Sequence, residues 1–166
     1  MNIAATYDYL TRARRDLWRT LEAVPDALLS RPLIEGVRFE CLKDYVLHIA
    51  EVEDGWINGD IRGGQMLQRA IPELRDAGPS FAAIPLGTLL DYWRVVEGET
   101  LHYLASLTEH DLARVVPLED WPEKQLTVGA LLSHVMIHEI RHTAQLCVLL
   151  RSQGVAPPSL DLLFYL

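Results

Sequence analysis

Three histidines recur at four-residue steps near the end of the 166-residue chain, at His134, His138 and His142. In an α-helix, a step of four residues leaves neighbouring side chains about 40° apart around the axis and about 6 Å apart along it. Two imidazoles at that spacing can bind one metal ion. His138 and His142 also lie on the apolar stripe of their segment, where an unliganded imidazole leaves a donor and an acceptor to satisfy. The pair therefore predicts a metal site.

His48 lies on the apolar stripe of an earlier helical segment. A lone histidine on such a face is more often a hydrogen-bonded core residue than a ligand, so His48 by itself is not diagnostic. Joined to His138 and His142, it would give three nitrogen ligands and leave a fourth position to water, which is typical of catalytic zinc or nickel sites. His134 would lie about 80° around the helix from His142, so we expect it to support the site rather than bind the ion.

Helical periodicity dominates the sequence and predicts the elements that position these side chains. Apolar residues repeat at three- and four-residue steps in four long segments, over residues 3–23, 42–58, 88–106 and 127–153. No alternating strand pattern, internal repeat or linker competes with them. We therefore predict an all-α protein, a four-helix bundle formed by a single domain over residues 1–166. The connections 59–86 and 107–126 are long enough to carry short extra helices or to cover a site.

The charge balance limits the partners of the protein. With 23 acidic against 15 basic side chains, the formal net charge is -8, which disfavours binding to nucleic acid or to anionic membrane surfaces. The densest basic group, Arg12, Arg14 and Arg15, has acidic neighbours and is typical of a solvated helix face. The N-terminus lacks a secretory pattern, no uncharged apolar stretch reaches about 18 residues, and the two cysteines form no redox or zinc motif. We expect a cytoplasmic protein with no membrane or nucleic-acid partner.

Residues 138–142 read His-Glu-Ile-Arg-His and match the HExxH motif of zinc proteases, in which the histidines bind zinc and the glutamate acts as general base. A zinc protease also requires a third ligand downstream. The extended motif fails here, because Gln145 and Val148 stand where its glycine and third histidine would be. The sequence therefore gives only weak support to a zinc hydrolase.

The segment SHVMIHEIRHTAQLCVLLRSQG closely resembles the last long helix of the DinB/YfiT-like metalloprotein superfamily. The family's H-x-x-x-H pair falls on His138 and His142, and its histidine from the second helix falls on His48 in YVLHIAEVEDGW. The other matching positions are Gln145, Leu150, Arg151, Gly154, Pro158, Asp161, Leu162 and Tyr165. The sequence departs from many members at Thr143 and Ala144, where they carry arginine and glycine. The resemblance spans nearly the whole chain.

This resemblance implies a four-helix bundle with long crossover connections, frequent homodimers and one divalent metal ion, commonly zinc or nickel, on the same three histidines. It also implies a small-molecule substrate, since characterised relatives include transferases and isomerases that use low-molecular-weight thiols. Our leading interpretation is a metal-dependent thiol S-transferase or a related detoxification or stress enzyme. Glu51, His134 and Gln145 are candidates for orienting the ligands or the substrate.

The sequence is also consistent with a different class of function. The metal could be structural or sensory, and the protein could act by binding, for example as a stress-associated dimer. The sequence supplies no clear nucleophile. Glu51, Asp54 and Tyr45 near His48 are able to orient a ligand or move a proton, but each is equally plausible as an ordinary helix residue.

Overall fold

A computed structural model of the protein describes residues 2–33, 39–75 and 81–166. The α-helices in these ranges are α1 (Ile3–Glu22), α2 (Asp26–Leu29), α3 (Leu42–Asp54), α4 (Pro72–Arg75), α5 (Leu86–Ser106), α6 (Glu109–Ala113) and α7 (Val128–Ser152). A π-helical turn continues α3 over Gly55–Ile61, and 3₁₀ turns span Leu67–Ala70 and Leu162–Tyr165. Two short antiparallel strands, β1 (Val115–Val116) and β2 (Leu126–Thr127), place Val115 opposite Thr127.

The four predicted long helices are present, with ends that differ from the predicted ones by a few residues. α1 and α7 start after Asn2 and Thr127, whose side chains accept hydrogen bonds from amides of the first turn. Gly154 follows α7 with a φ of 79°, a conformation that glycine adopts without steric cost. The second helix is longer than predicted, because it is α-helical to Asp54 and continues as a π-helical turn to Ile61.

The long connections carry short elements, as their length predicted. Residues 107–126 include α6, β1 and the first residue of β2. Residues 59–86 include a 3₁₀ turn and α4. Residues 76–80 of the second connection lie outside the described ranges. The described residues are mainly helical, in agreement with the predicted all-α class. None of the helices in the described part of the chain is long and apolar enough to cross a membrane.

The four long helices contact one another around a shared apolar core. α3 packs against α5 and α7, and α1 packs against the same two helices. The side chains at the centre are almost fully buried: Leu17, Leu21, Leu42, Leu47, Trp93 and Leu146. A second apolar cluster packs the π-helical turn on the first half of α7, through Ile57, Ile61, Val128, Leu131 and Val135. The packing of α3 on α7 is the contact that positions the predicted histidines.

Arg14 lies inside the protein, which corrects the prediction that its basic group is a solvated helix face. Its side chain is 1% exposed. It donates hydrogen bonds to a carboxylate from each of the three other long helices. The partners are Glu53 on α3 at 2.7 Å, Glu97 on α5 at 3.1 Å, and Glu139 on α7 at 2.7 and 2.5 Å. All three acids are buried as well.

The correction concerns one position of the three. Arg12 and Arg15 keep side-chain exposures of 51% and 48%, whereas Arg14 points into the core because carboxylates there compensate its charge. Arg15 reaches the edge of the buried cluster and pairs with Glu97. The cluster still holds three carboxylates against two guanidinium groups. Burial raises the pKa of the Glu139 carboxyl, and the neighbouring Arg14 guanidinium opposes this rise.

Replacement of Arg14 by methionine, a side chain of similar length, removes the guanidinium that the three carboxylates share. We expect Arg14→Met to lower the free energy of unfolding by about 3–5 kcal/mol, because buried charges lose their partner. Urea denaturation followed by circular dichroism measures this. Arg12→Met is the matched control, since it removes only an exposed pair with Asp8. Equal stability of the two variants would contradict a structural role for the buried cluster.

Candidate metal centre

The three histidines predicted as ligands meet inside the protein where α3 packs against α7. His48 lies in the middle of α3, and His138 and His142 lie one turn apart in α7. All three are buried. One ligand atom from each lies within 4.8 Å of the other two, and the Nε2 atoms of His48 and His138 are 3.0 Å apart. The fold thus brings together the three side chains that the sequence singled out.

The spacing of these nitrogens fits one tetrahedral metal ion. With metal–nitrogen bonds of about 2.0–2.1 Å, two ligand nitrogens lie about 3.3 Å apart. The Nε2 atoms of His48 and His138 are 3.0 Å apart, slightly less than this distance, and no two ligand atoms of the three histidines are more than 4.8 Å apart. A histidine must also be neutral to bind an ion. Burial, reinforced by the charges of His142 and His48, lowers the pKa of His138 to about 3, so its ring is neutral at physiological pH. Neutral imidazoles are donors that suit zinc and nickel.

Two aromatic rings cover one side of the histidine cluster. The ring of Phe39 lies 4.4 Å from that of His48 and 6.0 Å from that of His142. The ring of Tyr45 packs against Phe39 at 5.0 Å and lies 6.1 Å from His142. Aromatic cover of this kind keeps bulk water away from the rings, and a lower local dielectric strengthens every charge interaction at the site.

Arg141 places a positive charge at the histidine cluster. Its Nη2 atom lies 3.0 Å from Nε2 of His142, and an ion bound at that nitrogen would replace this contact. The residue is exposed, so its guanidinium is accessible to small molecules that reach the cluster. A guanidinium pairs well with carboxylates and phosphates. The cluster therefore combines candidate metal ligands with a group that attracts anions.

The residues predicted to support the centre lie in three different settings. His134 is exposed, and its ring is 6.0 Å from that of His138. Glu51 accepts a hydrogen bond from the side chain of Gln68 at 2.5 Å. Gln145 is exposed on α7. Their role in orienting ligands or substrate stays a prediction.

Asp54, which the sequence offered as a possible proton carrier, makes structural contacts. Its carboxylate accepts hydrogen bonds from the hydroxyl of Tyr92 at 2.8 Å and from the side chain of Asn58 at 2.9 Å. It also accepts one from the backbone amide of Gln68 at 3.1 Å. The side chain is fully buried. These bonds tie the π-helical turn to α5 and to the following connection.

Glu139 has a different position from the general base of a zinc protease. Its carboxylate accepts two charged hydrogen bonds from Arg14 in the buried cluster, and the residue is 2% exposed. A general base must lie within hydrogen-bond reach of the water that it deprotonates. The HExxH match therefore reflects the four-residue spacing of His138 and His142. The glutamate does not have the position that a protease requires, because it contacts Arg14.

Sequence reasoning did not find the tryptophan pair beside the histidines. Trp56 lies within the predicted second helix, residues 42–58, and Trp121 lies in a polar connection. In the structure their rings are nearly parallel, with centroids 6.1 Å apart. The Trp56 ring lies 5.5 Å from that of His134. A large aromatic residue in an otherwise polar, Pro-containing loop was the available signal.

Two comparisons with known proteins bear on this geometry. A sequence model of the DinB family matches residues 1–166 of the chain. The comparison with curated proteins finds no match. The family match covers the full length, including the helix that carries His138 and His142, and it agrees with the resemblance drawn from that segment. The chain belongs to the DinB family.

Proposed function

We propose that His48, His138 and His142 bind one divalent metal ion, zinc or nickel, and that the protein is a metal-dependent thiol S-transferase of the detoxification or stress type. The observation that carries the proposal is the convergence of three buried imidazoles from two helices. Three protein ligands leave a coordination position for a small molecule. Family membership supports the same interpretation.

The chain's own residues divide the work of such a transfer. A divalent ion at the three histidines would lower the pKa of a thiol that reaches it. Phe39 and Tyr45 exclude water on one side, and Arg141 attracts an anionic group of the thiol cosubstrate. In the net reaction with an aryl chloride, the thiol loses its proton, a carbon–sulfur bond forms, and chloride leaves with the carbon–chlorine electron pair.

The finer features of the molecule belong to the same proposal. We infer a four-helix bundle with long crossover connections, supported by the contacts of α1 and α3 with both α5 and α7. Exposed apolar side chains on α7, Ile137 at 59% and Val148 at 60%, support a homodimer. The free thiols of Cys41 and Cys147 support a reducing, cytoplasmic setting.

Replacement of any one of the three ligands should remove the metal. We expect His48→Ala, His138→Ala and His142→Ala each to lower metal content sharply in elemental analysis of protein purified without an affinity tag, because two imidazoles bind an ion far more weakly than three. His102→Ala is the matched control, since His102 is exposed on α5. Near-stoichiometric metal in one of the first three variants would remove that residue from the ligand set.

Turnover tests the reaction itself. We expect the metal-loaded protein to conjugate a low-molecular-weight thiol to 1-chloro-2,4-dinitrobenzene, with formation of the thioether followed by absorbance. His138→Ala should abolish the reaction and His102→Ala should retain it. A fully metallated protein that is inert across a broad panel of thiols, aryl chlorides and epoxides would contradict the transferase assignment and favour a binding role for the metal site.

The Glu139→Gln variant separates the transferase from a zinc protease. We expect it to keep its metal and its thiol transfer, because the glutamine amide oxygen still accepts a hydrogen bond from Arg14 and the carboxylate that is lost contacts Arg14 rather than the three histidines. Wild type should not cleave casein. If wild type shows metal-dependent proteolysis and Glu139→Gln abolishes it, the transferase assignment is wrong and a zinc protease is the better assignment.

A further inference from the structure

A small cavity adjoins the candidate metal centre on the side of His134. Its volume is about 330 Å³, at the lower end of the range for small-molecule pockets. Residues from four parts of the chain line it: Trp56 of the π-helical turn, Trp121 and Lys124 of the connection between the strands, Leu126 of β2, and Leu131 and His134 of α7. A cavity of this size has room for about one substituted ring.

The walls of the cavity are flat and aromatic. The indole rings of Trp56 and Trp121 stack on each other, tilted by only 12° and with centroids 6.1 Å apart, so a ligand ring would stack on an outer face of the pair and not between the two rings. Leu131 is buried and supplies an apolar surface from α7. Aromatic rings stack on indole faces at comparable centroid separations. These walls favour a planar aromatic ligand.

Lys124 gives the cavity a positive charge. Its Nζ atom lies 4.6 Å from the centroid of the Trp121 ring. The connection also carries the acidic residues Glu119, Asp120 and Glu123, none of which lines the cavity. An ammonium group over the ring of one of the stacked indoles attracts an anionic substituent and disfavours a cationic one. The ligand class is therefore an aromatic ring with a negatively charged group.

His134 connects the cavity to the metal centre. Its ring lies 5.5 Å from that of Trp56 and 6.0 Å from that of His138. We propose that this cavity binds a planar aromatic anion and that it holds the electrophile for the reaction at the three histidines. The assignment of the bound ring as the electrophile rests on the proposed thiol transfer. Binding of the ring does not.

The probe for ring binding is 4-fluorobenzoate, followed by ¹⁹F NMR titration of the full chain as purified. We expect saturable binding that Trp121→Leu weakens about tenfold, since a stacking face is lost. Lys124→Gln should weaken 4-fluorobenzoate about fivefold and leave the neutral 4-fluorobenzyl alcohol unchanged. Both positions are exposed, so the variants should fold. Arg12→Gln, on the exposed face of α1, is the control.

Absence of saturable binding, or equal affinity in Trp121→Leu and Arg12→Gln, would overturn the ring site. Its position beside the histidines is tested with cobalt(II)-loaded protein. We expect the bound ¹⁹F nucleus to relax faster with cobalt(II) than with zinc, and a bound ring without this effect would overturn the electrophile assignment. If the chain binds the ring but takes up no metal, the ring site stands and the proposed transferase function fails. Failure of the ring site can therefore be distinguished from failure of the proposed function.

Discussion

The buried contacts of Arg14 with three carboxylates are the constraint on which the rest of the structure depends. Arg14 comes from α1, and Glu53, Glu97 and Glu139 come from α3, α5 and α7. Each of the other three long helices therefore contributes one carboxylate to the guanidinium of Arg14. Because charged hydrogen bonds are short and directional, they fix the rotation of each helix about its own axis more tightly than apolar packing does.

That rotation determines where the histidines point. Glu139 directly follows His138, so the two side chains leave α7 about 100° apart. With Glu139 held toward α1, His138 is turned toward α3, where His48 meets it. Buried ion clusters of this kind often add little net stability compared with apolar side chains. We infer that this cluster instead sets the register of α3 and α7, and with it the convergence of the three histidines.

The sequence was sufficient for the features that local periodicity encodes. The long helices and the pairing of His138 with His142 follow from steps of three and four residues. The burial of Arg14 does not, because its partners lie up to 125 positions away and the other basic residues of its group, Arg12 and Arg15, are exposed. Trp121 was missed for the same reason, since a loop residue gains its role only from the helix against which it folds. The HExxH match contains two of the three histidines that meet in the structure, but the role that the motif gives to Glu139 does not fit its contacts with Arg14, because a motif records spacing and not the direction of a carboxylate.

X-ray absorption spectroscopy of the zinc-loaded protein tests the central claim most directly, since it reads the atoms around the ion without reliance on activity. The expected spectrum has three imidazole nitrogens at about 2.0–2.1 Å and one further oxygen or nitrogen neighbour. A sulfur neighbour at about 2.3 Å, or a shell made of oxygen alone, would contradict a centre built on His48, His138 and His142.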